Sequence, residues 1–269
     1  MDKLIAISNR CWYNRSVREC GTYREEGCHD MNAFARTEML LGKDSTAKLQ
    51  AASVAIFGVG GVGSFAAEGL ARGGVGRLIL FDSDIVNESN LNRQLVALTS
   101  TIGQPKTAVM RDRILDINPN ACVEAFRLHY DAQTAPSVDL SAFSYVIDAI
   151  DTVTSKLLLV EQAIAAHVPI ISSMGAGNKL DPTRLEVADI YATSICPLAK
   201  VMRKELRARG VAALKVVYTR EPALTPLVPE PPPPGSSRRQ TPGSVPFVPS
   251  VAGLILAGEV IKDITEVVK

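Results

Sequence analysis

Short apolar runs and amphipathic stretches alternate along most of the chain. SVAIF (53–57), Arg77–Phe81, Cys122–Phe126, Tyr145–Ala149 and Val168–Ser172 are near-continuous apolar runs, the pattern of strands buried on both faces. Val62–Arg72, Pro105–Ile117 and Ser155–His167 lie between them and carry apolar residues at helical spacing. Strands alternating with helices predict an α/β fold, a Rossmann-like doubly wound and mostly parallel sheet. Beyond Gly175 the texture changes. A strand is expected at Leu185–Tyr191, a helix at Pro197–Arg209 and a strand at Leu214–Tyr218.

Ten prolines fall between 222 and 250, which excludes regular structure there and predicts a Pro-rich mobile loop over 222–249. A C-terminal helix with Ser250 as its N-cap follows, and 250–269 is expected to pack on the main domain over 31–221. Residues 1–30 mix Arg, Glu, Cys and Gly without periodicity. Two readings of them stand: a disordered arm, or a chain whose translation begins near Met31.

Composition narrows the function. With 46% hydrophobic and 21% charged residues and a net charge of +1, the chain is of ordinary globular type, and any nucleic-acid contact must come from a local patch. None of the five cysteines forms a CxxC pair, which argues against a four-cysteine zinc site. Their odd number and the lack of a signal-like segment point to a reducing, cytoplasmic setting. No apolar run approaches the ~20 residues of a membrane span. Cys122 is expected to be inert in a core strand. Cys196, before Pro197 at a helix start, reads as a packing residue in preference to an activated thiol. His29, His129 and His167 show no ligand spacing.

The chemistry starts at AIFGVGGVGSFAAEGLARGGVGRLILFD (55–82). Gly58, Gly60, Gly61 and Gly63 follow a strand and open a helix, where backbone N–H groups and the helix dipole attract phosphate. Asp82 ends the next strand, where a carboxylate can bind ribose hydroxyls. A bare strand–helix turn is the bland alternative, and the glycines alone do not separate NAD from ATP. Asp84, Asn90, Asn92, Arg93 and Gln94 follow in FDSDIVNESNLNRQL (81–95), and Lys106 opens a helix after GQP. A fork-shaped guanidinium and an ammonium beyond the ribose carboxylate suit a triphosphate better than a hydride carrier. IDAIDT (147–152) places Asp148 and Asp151 at the carboxyl end of a strand. Asp151 is the candidate magnesium ligand there, since Mg²⁺ commonly takes one or two carboxylates beside phosphates. A helix N-cap at Asp151 or Thr152 is compatible with that role.

In this order, GVGGVG, Asp82, NLNRQ, Lys106 and DAIDT resemble the ubiquitin-activating-like superfamily of adenylating enzymes of the ThiF/MoeB type. FARTEMLLG (34–42) resembles the segment that supplies an arginine to the partner subunit's ATP, so the resemblance implies a homodimer with Arg36 acting in trans. It implies catalytic roles for Arg93, Lys106 and Asp151 and nucleotide contacts from the four glycines, Asp82, Asp84, Asn90, Asn92 and Gln94. The chain departs from the ThiF/MoeB pattern in lacking paired CxxC motifs and an evident thioester cysteine. FSYVIDAIDTVTSK (143–156), ADIYATSICPLAKVMRKELR (188–207) and PGSVPFVPSVAGLILAGEVIKDI (242–264) are instead similar to the tRNA threonylcarbamoyladenosine dehydratase family. That likeness implies ATP, Mg²⁺ and tRNA as the reaction's participants, and leaves room for a monovalent cation and a sulfur-transfer protein. A sulfur-carrier adenylyltransferase, an NAD-dependent oxidoreductase and a nucleotide-sensing scaffold are the competing readings.

A tRNA partner needs basic surface. Between 196 and 220 the chain has Lys200, Arg203, Lys204, Arg207, Arg209, Lys215 and Arg220 against Glu205 alone, and Arg238 and Arg239 follow. That excess fits phosphate binding, or a solvated helix face. The glycines of SSMGAGNKLDPT (172–183) are candidates to line an acceptor pocket, or form a plain turn.

Overall fold

The structure is a computed structural model and describes residues 33–228 and 241–267. The expected organisation of residues 1–30 lies outside the described residues, as do Arg238, Arg239 and the middle of the Pro-rich segment.

Seven strands form one sheet in the order β3-β2-β1-β4-β5-β7-β6. They are β1 (Ser53–Phe57), β2 (Arg77–Phe81), β3 (Cys122–Phe126), β4 (Tyr145–Asp148), β5 (Ile170–Ser173), β6 (Leu185–Asp189) and β7 (Lys215–Thr219). All neighbours are parallel except β6, which runs antiparallel to β7. The chain winds outward from β1 through β2 to β3, then returns to place β4 on the other side of β1. The strand order therefore reverses between β1 and β4, the position at which doubly wound sheets open a crevice for a ligand.

Side-chain alternation builds two cores. Val54 and Ile56 of β1, Leu78 and Leu80 of β2, and Tyr145 and Ile147 of β4 face one layer. That layer contains α2 (Lys43–Ala51), α3 (Gly63–Arg72), α4 (Lys106–Ile117) and α7 (Phe247–Thr265). Ala55, Phe57, Ile79, Phe81 and Val146 face the other, against α5 (Val153–Ala165) and α6 (Pro197–Ala208). Both faces are covered, which is why the strands read as continuous apolar runs.

α7 corrects the expected C-terminal helix. It begins at Phe247, and Ser250 is not its cap but lies one turn inside, its Oγ donating to Pro246 O at 2.6 Å. The Pro-rich segment therefore ends three residues earlier than expected. Pro249 is tolerated because a first-turn residue has no intrahelical N–H bond to lose. α7 lies directly on α3: a Cβ at Gly253 would sit 2.2 Å from Val62 O, and one at Gly69 2.7 Å from the Ala257 Cβ. This contact carries the start of α7 to the glycine loop. Cys122 is the other correction. β3 is an edge strand, and Cys122 is exposed at its first position instead of buried.

α1 (Ala35–Leu41) stands apart. It buries none of its residues, and Met39 and Leu40 are more than four-fifths exposed. Among the described residues, no helix is long and apolar enough to cross a membrane.

Candidate active site

A cavity of about 500 Å³ opens at the carboxyl ends of β1, β2 and β4. Its lining includes Gly58, Gly60, Gly61, Asp82, Asp84, Asn90, Arg93, Gln94, Lys106 and Asp151. Gly63 supports it from behind. Asn92 is exposed beside it, and Arg36 is not part of it.

The glycines divide into two kinds. Gly58 has φ +89°, and a Cβ there would lie 2.6 Å from Ala149 O; a Cβ at Gly63 would lie 1.8 Å from Gly58 O. Packing of β1 against β4 and α3 demands both, with or without a ligand. Gly60 is different. A Cβ there meets nothing nearer than Gln94 at 3.7 Å, so packing tolerates a side chain. What the missing side chain leaves open is the cavity, at the start of α3, where first-turn N–H groups lack intrahelical partners.

Asp82 links this loop to β2. Its Oδ2 accepts Val59 N at 2.6 Å and its Oδ1 accepts Asp84 N at 2.8 Å. Burial pushes its carboxyl above the ordinary value, with Lys106 and the two backbone donors pulling the other way. Each oxygen retains a lone pair for a ribose hydroxyl. Lys106 is 5% exposed and opens α4; its Nζ lies 2.8 Å from Asp84 Oδ2, on a carboxylate that is itself well exposed.

Arg93 is the site's unbalanced charge. Nη1 donates to Ser89 O and Asn92 Oδ1, both at 2.9 Å, and no carboxylate pairs with it among the described residues. Burial depresses its pKa. Removing a guanidinium from water without an anion is unfavourable, so the position suits a ligand that brings negative charge. Gln94 makes a parallel case: it is 8% exposed, and its Oε1 is buried without a hydrogen-bond partner. A buried acceptor on a cavity wall calls for a donor from outside the chain. Asn90 is also buried, but its Oδ1 accepts Asn87 N at 3.1 Å and shapes the turn that carries Arg93.

The two aspartates of IDAIDT part company. Asp148 is fully buried, 2.9 Å from Lys156 Nζ, and accepts Ile150 N and the Ser172 hydroxyl. Lys156 Nζ also donates to Ile150 O at 3.0 Å. This buried pair fixes the turn that presents Asp151, which is exposed in the mouth of the cavity. One carboxylate beside a phosphate site fits Mg²⁺. No cluster of three or more potential metal-ligating side chains exists among the described residues, so phosphates and water would supply the remaining positions.

Several lining residues went unnoticed in the sequence. Leu128, His129 and Tyr130 follow β3, and Tyr130 packs edge-on against Phe57, with ring centroids 4.8 Å apart. Their place just beyond a strand's carboxyl end was the available signal. Of the two glycines in SSMGAGNKLDPT, Gly177 lines the cavity, beside Ala176, and Gly175 does not. Pro242, Gly243 and Ser244, at the return of the Pro-rich segment, also line it; they open the 242–264 stretch that carries the family resemblance, which assigned them no place at the site.

The basic stretch is thinner than its composition suggests. Arg203 donates to Thr193 O at 3.0 Å, and Arg207 lies 5.0 Å over the Tyr191 ring. Arg209 pairs with Glu205 and Glu161, Lys215 with Glu259 and Asp263, and Arg220 with Glu186. Most of those acids come from other elements. Lys200 and Lys204, exposed on α6, remain without an ion pair among the described residues. Cys196 is 2% exposed at the start of α6, in keeping with a packing residue.

Fold and cavity together define a protein of the doubly wound α/β class whose cavity, beside the glycine loop, suits a nucleotide. The ThiF family matches residues 34–268, and the chain belongs to that family. It is 44% identical over 241 residues to tRNA threonylcarbamoyladenosine dehydratase of Bacillus subtilis (strain 168), covering 87% of this chain and 95% of that protein. Its identity to the Haemophilus influenzae protein of the same name is 35% over 205 residues, covering 73% of this chain and 78% of that one. The structure is similar to that of Escherichia coli tRNA N6-threonylcarbamoyladenosine dehydratase, TcdA, in complex with ATP. The TM-score is 0.76 at 31% identity, over 87% of this chain and 94% of that one.

Proposed function

We propose that the chain uses ATP to dehydrate, and so cyclise, N6-threonylcarbamoyladenosine in tRNA. The observation that carries the reading is the half-buried Arg93, without a counter-charge among the described residues, facing a cavity opened by Gly60 and Gly61. The names and bound nucleotide of its relatives supply the substrate class.

The threonyl carboxylate attacks the α-phosphorus of ATP, and pyrophosphate leaves. Arg93 and Lys106 hold the phosphates and offset charge developing on them. Asp151 takes one position on Mg²⁺, which supplies further charge neutralisation when bound. The ureido group of the same modification then attacks the acyl carbonyl, loses a proton and closes the ring. AMP leaves with one former carboxylate oxygen, so the nucleoside loses one water. The second nucleophile is already tethered, which favours closure without an enzyme thioester. In keeping with this, the described residues lining the cavity include no cysteine. The chemistry as written needs neither a sulfur-transfer protein nor a monovalent cation; omitting Na⁺ and K⁺ tests the latter.

Arg36 lies on the exposed helix α1, outside its own chain's cavity. It serves the second copy of a homodimer, joined in part through Met39 and Leu40. Mixing R36A with R93A chains then restores about a quarter of wild-type activity, because half the dimers carry one intact site.

The primary test is nucleoside mass analysis of tRNA bearing the uncyclised modification, incubated with protein, ATP and Mg²⁺ and digested gently. Loss of one water, dependent on ATP and abolished in R93A and D151A, is expected. No loss from a preparation that still binds ATP refutes the reading and turns attention to a carrier-protein C-terminus as the activated carboxylate.

A further inference from the structure

Asn178 joins segments that are far apart in sequence. It follows β5 at φ +58°, a left-handed conformation that asparagine tolerates better than most residues. Its N–H donates to Gly243 O at 2.8 Å, and its Oδ1 accepts Gly243 N at 2.6 Å. Its own carbonyl accepts Leu224 N at 2.9 Å. One residue thus ties the point where the Pro-rich segment departs to the point where it returns.

The support beneath Asn178 is firm. The Glu221 carboxylate, at the end of β7, accepts Leu180 N and Asp181 N at 2.9 Å each, and buried Lys179 donates to Glu221 O. Across the cavity, Asn92 Nδ2 donates to Ser244 O at 3.0 Å while its Oδ1 accepts from Arg93. Approach is close as well, for a Cβ on Gly177 would come within 3.0 Å of the Pro242 Cβ. The Pro242–Ser244 wall is therefore pinned on one side by Asn178 and on the other by the residue beside Arg93.

Position indicates what the wall does. The glycine loop and Asp82 lie at the ends of β1 and β2, and the wall lies beside Gly177, beyond β5, on the other flank of the switch point. A nucleotide on the glycine loop leaves that flank for the group to be activated. We propose that Asn178 is a positioning residue: through its side-chain bond to Gly243 it holds the Pro242–Ser244 wall against the acceptor carboxylate, keeping it in line with the α-phosphorus. The inference rests on the reaction proposed above. A small displacement of a positioned group is enough to cost about 10²-fold in rate.

Two variants separate this role from a merely structural one. N178G keeps the left-handed backbone and both main-chain bonds, and removes the side chain whose Oδ1 accepts Gly243 N. N178D keeps an acceptor for Gly243 N. Three quantities are measured on the full chain: kcat/KM for tRNA bearing threonylcarbamoyladenosine, Kd for ATP, and amide hydrogen exchange of the 241–246 peptide. N178G is expected to lower kcat/KM for tRNA about tenfold or more, keep ATP Kd within about twofold, and speed exchange at 241–246. N178D is expected to restore all three to near wild-type values. Wild-type kcat/KM in N178G, an equal loss of ATP affinity, or failure of N178D to rescue overturns the proposal. If the wild-type chain removes no water from the tRNA, the reaction itself is wrong and the acceptor role falls with it. Exchange at 241–246 then decides the clamp alone, unchanged exchange in N178G refuting it.

Discussion

Replacing Asp148 by Asn tests whether the buried pair under the cavity is what holds Asp151 in place. Asp148 and Lys156 are both fully buried, and their charged atoms are 2.9 Å apart. At an effective dielectric constant of about 20, that separation corresponds to roughly 6 kcal/mol of attraction. Desolvation of the two ions offsets most of it, but a single substitution keeps one ion's desolvation and loses the attraction. D148N and K156M should therefore each destabilise the protein by about 3–5 kcal/mol. The double variant D148N/K156M buries no ion and should lie well above the sum of the singles, with a coupling of at least ~2 kcal/mol. Urea unfolding of all four proteins at pH 7 measures this. Function should not follow stability, because the double variant still lacks the Lys156 bond to Ile150 O and should remain impaired in ATP turnover. Additive destabilisation, with coupling under ~0.5 kcal/mol, would refute the reasoning. So would full activity in a double variant of restored stability.

Arg93→Lys should lose about 10²-fold or more in kcat with the fold intact by circular dichroism, because an ammonium cannot reproduce the guanidinium fork; activity within threefold of wild type, on the order of 0.7 kcal/mol, would show that only charge matters. Gly253→Ala should lower Tm, since its Cβ would meet Val62 O at 2.2 Å and overpacking costs about 1–3 kcal/mol or more. Gly60→Ala, with 3.7 Å of clearance, should keep Tm and weaken ATP binding in calorimetry. Glu68 is held by Arg113 at 2.7 Å and Arg72 at 2.8 Å; burial opposes its ionised form, but the two guanidinium groups prevail and keep its carboxyl below the ordinary 4.5. A depressed folded-state value means stability that is present above pH 4.5 and lost as pH falls through the folded-state value. Urea midpoints between pH 7 and 3 should therefore fall less steeply in E68Q than in the wild type.

The parallel sheet was legible because each strand is buried on both faces and flanked by helices of ordinary length. Strand limits from the pattern and from the structure differ by no more than two residues, the pattern running past the strand end at Ala149 and Tyr191. The glycine loop, Asp82, Arg93 and Lys106 were legible because they belong to contiguous motifs at strand ends. What escaped was long-range. Cys122 looks like a core residue until the sheet order makes β3 an edge. The basic cluster looks like a phosphate surface until Glu161, Glu186, Glu259 and Asp263 arrive from elsewhere to neutralise part of it. Pro242–Ser244 belong to a stretch that resembles the family but carry no residue pattern that marks a site, and Asn178 and Asn92 bond them to the cavity from distant parts of the chain.

Polar groups in this protein therefore fall into two populations that differ in kind. Away from the cavity, most buried or half-buried ions are matched: Glu68 by two arginines, Asp148 by Lys156, Lys215 by Glu259 and Asp263, while buried Lys179 donates to the Glu221 backbone carbonyl. Along the cavity Lys106 is paired with Asp84, but among the described residues Arg93 lacks a carboxylate and Gln94 Oε1 lacks a donor. Among the described residues the other buried side-chain atom without a partner is Ser53 Oγ, at the opposite end of β1, so what points to a ligand is that Arg93 and Gln94 stand unmatched side by side on one wall. A nucleotide resolves both at once, bringing anionic phosphate to Arg93 and a hydroxyl or amino donor to Gln94. On the proposed function, Asp151 takes the metal and Asp82, already engaged by Val59 N and Asp84 N, takes the ribose. Its two oxygens are oriented by backbone donors toward the loop, whereas Asp151 stands exposed at the mouth, where phosphate oxygens and water can complete a magnesium shell.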